Sequence, residues 1–245
     1  MSSFIILGII QGLTEFLPIS SSGHLYLLKS IFKINIDLLA FFVWLHVATL
    51  FALLLFFYRE VFYILKRKKI VLNILIATTL TAFVGIGLNV LLDKYFTTHF
   101  FLSFAFFITA FLLLWAKNSK SYKVIDDFKI IDSILLGLVQ GLAVIPGISR
   151  SGITIVALIK RGFKPQEAFR LSFLMAIPVI IGAFLWKSKY ILNGMLSPSV
   201  LLLGFIFSFL SGLCALMILQ KIIKKNFFYV FAYYCIVIGT ISIFL

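Results

Sequence analysis

Runs of apolar residues long enough to cross a bilayer alternate with short polar and basic segments along this chain. Six such runs lie at about 38–57, 70–92, 99–116, 171–186, 199–220 and 227–245. Each approaches the roughly 17–25 residues that a transmembrane helix needs. The fourth is the shortest and contains Pro178, so it is expected to extend outward or tilt. Two further apolar segments, about 4–28 and 133–159, are broken. The first holds Gln11, Glu15, Pro18, three successive serines, Gly23 and His24. The second holds Gln140, Pro146, Gly147, Ser149, Arg150, Ser151 and Gly152. Non-helical backbone at membrane depth must be buried in protein or line a wet cavity. Each broken segment therefore reads as a re-entrant helix–loop–helix that enters and leaves on one side.

Composition agrees with lipid as the solvent. Hydrophobic residues make up 62% of the chain and charged residues 12%, about half the share of a soluble domain. The mean hydropathy is +1.16. The formal charge of +14 sits in short runs such as Lys66-Arg67-Lys68-Lys69 between apolar stretches. That placement fits cytoplasmic membrane loops, not nucleic-acid binding. Cys214 and Cys235 lie in apolar stretches and read as small buried hydrophobes. The first residues lack a basic region and Gln11, Glu15 and Pro18 interrupt the run, so no cleaved signal peptide is expected.

Charge distribution sets the topology. With loop 58–69 inside and the spans alternating, sixteen of the 22 Lys and Arg residues fall inside. Five, Lys29, Lys33, Lys94, Lys187 and Lys189, fall outside, and Arg150 stays in the membrane. This bias predicts six spans with both termini outside. Gln11-Gly12-Leu13 recurs as Gln140-Gly141-Leu142, and Ile19-Ser20-Ser21-Ser22-Gly23 as Ile148-Ser149-Arg150-Ser151-Gly152, both at an offset of 129. Each half, 1–116 and 133–245, has one re-entrant segment and three spans within a single membrane domain. Three is odd, so the halves have opposite orientation, an inverted repeat. The expected fold is all-α, with the two re-entrant loops meeting mid-membrane.

The chemistry lies in those loops. Glu15 is the only acidic residue placed in the membrane, and Arg150 the only strongly basic one. Such residues are costly and mark function. Gln11 and Glu15 share a helical face, where an amide oxygen and a carboxylate suit a hard divalent cation or simply line a water pocket. Ser21 and His24 are three apart, so one helical turn is expected to bring hydroxyl and base together. Ser149, Ser151, Gly152 and Thr154, at a helix N-terminus beside Arg150, form a natural anion site. A histidine, hydroxyl and carboxylate beside that site read as phosphate-ester or anhydride hydrolysis. His46 reads as an interhelical hydrogen-bonding residue that would line the site in a minority of cases, and His99 as interfacial.

Gln11-Gly12-Leu13-Thr14-Glu15-Phe16-Leu17-Pro18-Ile19-Ser20-Ser21-Ser22-Gly23-His24-Leu25 and Pro146-Gly147-Ile148-Ser149-Arg150-Ser151-Gly152 resemble the two signatures of the bacterial undecaprenyl-pyrophosphate phosphatases of the bacitracin-resistance type. The resemblance covers essentially the whole chain. It implies removal of the terminal phosphate from undecaprenyl pyrophosphate, which recycles the carrier lipid for cell-wall synthesis. It also implies a divalent cation, Mg2+ or Ca2+, and a site facing the outer side of the bacterial cytoplasmic (inner) membrane. Residue by residue it puts the E/Q-x-x-x-E motif on Gln11 and Glu15, the candidate nucleophile on Ser21, the histidine on His24 and the arginine on Arg150, with direct attack by water activated by His24 or Glu15 as the rival route. Ser20, Ser149 and Thr154 match accessory polar positions. With glutamine at position 11, Glu15 is the sole carboxylate of the motif. A second family of membrane lipid phosphatases would need His and Asp where Val156 and Lys160 stand. Expected partners are the polyprenyl pyrophosphate lipid, the bilayer and, in a homodimer, a second copy. The rival reading is a flippase for undecaprenyl phosphate or another anionic lipid.

Overall fold

The computed structural model describes residues 2–32, 39–92, 98–117, 119–192 and 197–245. Position 38 of the first expected span, Lys33, Lys94 and the side chain of Lys189 lie outside the described residues.

Helices and the turns between them make up the described chain, with one isolated bridge between Lys123 and Phe163. Eleven α-helices follow in order: α1 Ser2–Phe16, α2 Ser21–Ile31, α3 Leu39–Phe56, α4 Tyr58–Leu65, α5 Lys68–Leu92, α6 His99–Trp115, α7 Ile130–Gly141, α8 Arg150–Lys160, α9 Pro165–Leu192, α10 Pro198–Lys224 and α11 Phe231–Ile243. Both broken segments form helix–turn–helix units, α1–α2 and α7–α8. Pro18 and Pro146 stand in the two turns, where their missing N–H groups interrupt no helix.

Three described helices, α5, α9 and α10, are long and apolar enough to cross a membrane. α3 joins them if counted with α4, from which it is bent by 75°. α6 and α11 are apolar but shorter. The expected short span at 171–186 is extended at both ends in α9, which runs through Pro178. Residues 58–65, expected as loop, form α4. Its charged residues Arg59 and Glu60 sit beside exposed Tyr58, Phe62 and Tyr63, an amphipathic composition suited to a membrane surface.

Large apolar residues cover much of the exterior, and the interior holds polar residues beside its apolar core. Phe83 is 79% exposed, whereas Gln11, Thr49, Asn73, Gln140, Thr154 and Ser172 are buried. Cys235 is buried as expected, but Cys214 is exposed, on a stretch of α10 that also exposes Leu210, Met217 and Ile218. α1 packs chiefly on α10, with Gly8 against Gly204, and α7 packs chiefly on α5. Close helix approach through small residues suits a lipid environment, where dispersion and hydrogen bonds drive association. Phe16, the residue after Glu15, joins Phe57, Phe169 and Phe173 in a buried aromatic cluster.

Candidate active site

Glu15 occupies the last turn of α1, and its side chain is 7% exposed. One turn earlier, Gln11 Nε2 donates to Glu15 Oε2 at 3.1 Å, as their spacing of four predicts. Across the turn, Ser21 Oγ donates to the same oxygen at 2.7 Å. Arg150 Nη2 donates to Oε1 at 2.7 Å from the other broken segment. His46 Nε2 of α3 lies 3.5 Å from Oε2. One carboxylate thus gathers groups from α1, α2, α3 and α8. Ser21 and Arg150 stand at equivalent places in the repeat, each the first residue of its helix, and each reaches a different oxygen of Glu15.

The turns hold this geometry by reciprocal ties. Ser20 caps α2, its Oγ accepting from Gly23 N at 3.3 Å, and Ser149 caps α8, accepting from Gly152 N at 3.1 Å. Ser20 Oγ also accepts from Gly147 N at 3.0 Å, which joins the two halves. Ser151 Oγ donates to Leu17 O at 3.3 Å. Ser20 has φ +67°, a conformation that costs a non-glycine residue about 1–3 kcal/mol. Glycine there would relieve the strain and lose the bonds to Oγ from Gly23 N and Gly147 N. The loops touch at two glycines. A Cβ on Gly23 would lie 2.6 Å from Phe106 and 3.1 Å from Gly147 Cα. Gly147 has φ +98°, and its carbonyl accepts from Thr109 Oγ1 of α6 at 2.8 Å.

Not every expected contact forms. His24 does not bond to Ser21. Its Nδ1 meets Ser20 O at 2.7 Å and its Nε2 meets Tyr234 Oη of α11 at 2.7 Å. Helical side chains lean toward the N-terminus, so the ring folds back over the Ser20 carbonyl while Ser21, at the helix start, faces Glu15. The expected phosphate-binding hydroxyls of Ser20, Ser149, Ser151 and Thr154 all have protein partners here. Thr154 Oγ1 donates to Arg150 O at 2.8 Å and lies 2.6 Å from Ser172 Oγ. Gly152 sits tight against Ser149 and Pro18. Buried hydroxyls at a junction must be satisfied, and these are satisfied by tying the loops. His46 joins α3 to α1 through its ring, which lines the site. Its Nδ1 bonds to Phe42 O of its own helix at 2.7 Å, leaving Nε2 toward Glu15. His99 starts α6 and lies 3.5 Å from Ser30 Oγ.

Arg150 has spare capacity. Its side chain is 15% exposed, and Nη1 is buried with no hydrogen-bond partner among the described residues. Gln11 Oε1 is likewise buried without a partner.

The family model described as Bacitracin resistance protein BacA matches residues 4–241. The chain belongs to this family. Among its relatives, the undecaprenyl-diphosphatase of Thermosipho africanus is 41% identical over 98% of both chains. That of Halothermothrix orenii is 39% identical over 98% of this chain and 96% of its own. That of Thermotoga sp. strain RQ2 is 37% identical over 97% and 98%.

In this BacA-family chain, the side chains present fit a divalent cation held with the help of a substrate. Among the described residues no three His, Cys, Asp or Glu side chains converge as a metal cage. What exists is the Glu15 carboxylate beside the unpartnered Gln11 Oε1, both hard oxygen donors. Mg2+ characteristically takes one or two protein oxygens and completes its shell from phosphate and water. Sequence reasoning missed Tyr234 and Thr109 as parts of the site. No spacing links either to it. His46 carried a signal, an ionisable residue in mid-span.

Proposed function

We propose that the chain hydrolyses undecaprenyl pyrophosphate to undecaprenyl phosphate and inorganic phosphate. This recycles the carrier lipid for cell-wall synthesis and underlies bacitracin resistance. The relatives' names support the reaction. The observation that carries it is Ser21 Oγ on one oxygen of Glu15 with Arg150 on the other, Arg150 keeping Nη1 without a partner among the described residues.

The terminal phosphoryl oxygens take Arg150 Nη1 and the backbone N–H groups at the start of α8. Ser21 Oγ attacks the terminal phosphorus. Its proton goes to Glu15, the Oγ–P bond forms and the anhydride P–O bond breaks. Glu15 passes the proton to the departing lipid phosphate. Water then attacks the phosphoserine. Glu15 takes the water proton and returns it to Ser21 Oγ as inorganic phosphate leaves. Glu15 and Gln11 would hold the divalent cation, Mg2+ or Ca2+, whose charge, when bound, offsets that of the pyrophosphate. His24 supports the turn that carries Ser21.

Six spans with two re-entrant segments, in an inverted repeat with both termini outside, carry this site toward the outer face of the cytoplasmic membrane. The exchange in packing, α1 on α10 and α7 on α5, supports the repeat. That same exchange favours a second reading, transport of undecaprenyl phosphate across the membrane. The test is phosphate release by the purified chain in detergent. Release with Mg2+ or Ca2+, and none with chelator, is expected. No release with either cation would leave only transport.

A further inference from the structure

His24 is held more firmly than a base poised over Ser21 would be. Its Nδ1 lies 2.7 Å from the Ser20 carbonyl. A carbonyl only accepts, so Nδ1 carries the proton. In the neutral ring Nε2 is then a bare acceptor, and Tyr234 O–H donates to it at 2.7 Å. The two rings lie within 14° of parallel with centroids 5.6 Å apart, and Phe106 packs edge-on against His24 at 5.5 Å. Both polar ends of the imidazole are therefore engaged.

What His24 braces is the strained turn. Ser20 takes φ +67°, and its neighbour Ser21 meets Glu15. α11 touches that turn a second time. Cys235 Sγ, the residue after Tyr234, lies 3.7 Å from Pro18 O. The last helix of the chain thus grips both limbs of the turn that presents Ser21, one limb through His24 and the other directly.

We propose that Tyr234 is a positioning residue for the hydrolysis: through His24 it holds the Ser20–Ser21 turn in the geometry that places Ser21 Oγ on Glu15. This rests on the hydrolase reading above. Tyr234 touches no reacting atom. Its hydroxyl fixes His24, His24 fixes the Ser20 carbonyl, and the carbonyl fixes the direction in which the next residue leaves the turn.

The test is steady-state phosphate release by Tyr234→Phe, which deletes one oxygen from a side chain that is 41% exposed and leaves the fold intact. A misaligned nucleophile lowers kcat by about 10- to 100-fold. KM stays within about twofold, because Arg150 still holds the phosphate. Added to His24→Ala, Tyr234→Phe costs less than about twofold more, since both act along one path. Tyr233→Phe, one residue away and exposed, leaves turnover unchanged. Wild-type turnover in Tyr234→Phe, or a full additional loss in the double variant, overturns the proposal while the hydrolase reading stands. No release from the wild-type chain overturns both.

Discussion

Arg150→Lys separates charge from shape at the centre of the site. In the structure Nη2 is committed to Glu15 Oε1 at 2.7 Å, and Nη1 is buried with no partner among the described residues. In the proposed mechanism the planar guanidinium bonds to the carboxylate and to a phosphoryl oxygen at once. Lysine has a single nitrogen on a flexible four-carbon stem, and it serves one of these oxygens well. The variant therefore loses one charge-assisted hydrogen bond in the transition state, about 1.5–3 kcal/mol. At about 1.4 kcal/mol per factor of ten, kcat/KM falls about 10- to 150-fold. Charge beside Glu15 is retained, so the carboxylate is not left alone in a buried place, and thermal unfolding in detergent shifts little. Phosphate release from the pyrophosphate lipid at fixed cation concentration gives the number. A variant within about threefold of wild type in kcat/KM, with a normal unfolding midpoint, would refute the two-nitrogen clamp.

Gln11→Glu places a second carboxylate about 3 Å from Glu15. It is expected to lower the cation concentration for half-maximal activity severalfold and to enlarge the rise in unfolding temperature on adding Mg2+ or Ca2+. Unchanged cation dependence on both readouts would remove Gln11 from the site. Gly147→Ala asks an alanine to adopt φ +98° with its Cβ 2.6 Å from Ala105 Cβ and 2.9 Å from Leu102 O. The strain and overpacking together cost about 2–5 kcal/mol, read as a drop in the unfolding midpoint together with lost activity, and a normal midpoint would contradict the loop junction.

Much of this was legible because membrane proteins allow few solutions. Gln11 and Glu15, Pro18 and Pro146, and the repeat at an offset of 129 located the two broken helices and their proline-containing turns. Arg150 reaching Glu15 followed from the cost of leaving either charge alone in lipid. Helix α4 was not legible. Tyr58–Leu65 is separated from α3 by Phe57 alone, and its charges read as loop, whereas the chain bends there by 75° and continues as helix. His24 was paired with the wrong partner because a spacing of three says that two side chains are near in sequence, not which way each leans. The hydroxyls of Ser149, Ser151 and Thr154 looked free for ligand, since the sequence does not display the Ser172, Leu17 and Gly152 atoms that claim them. Tyr234 is 210 residues from His24, and nothing local announces a contact of that kind.

The central claim is that Ser21, activated by Glu15, receives the terminal phosphoryl group. Rapid quenching of the purified chain with terminally labelled undecaprenyl pyrophosphate tests it most directly. The account predicts label on Ser21 in the wild-type chain, and turnover lower by on the order of 10³-fold or more in Ser21→Ala. Near-wild-type turnover by Ser21→Ala, with no label at position 21, would contradict it.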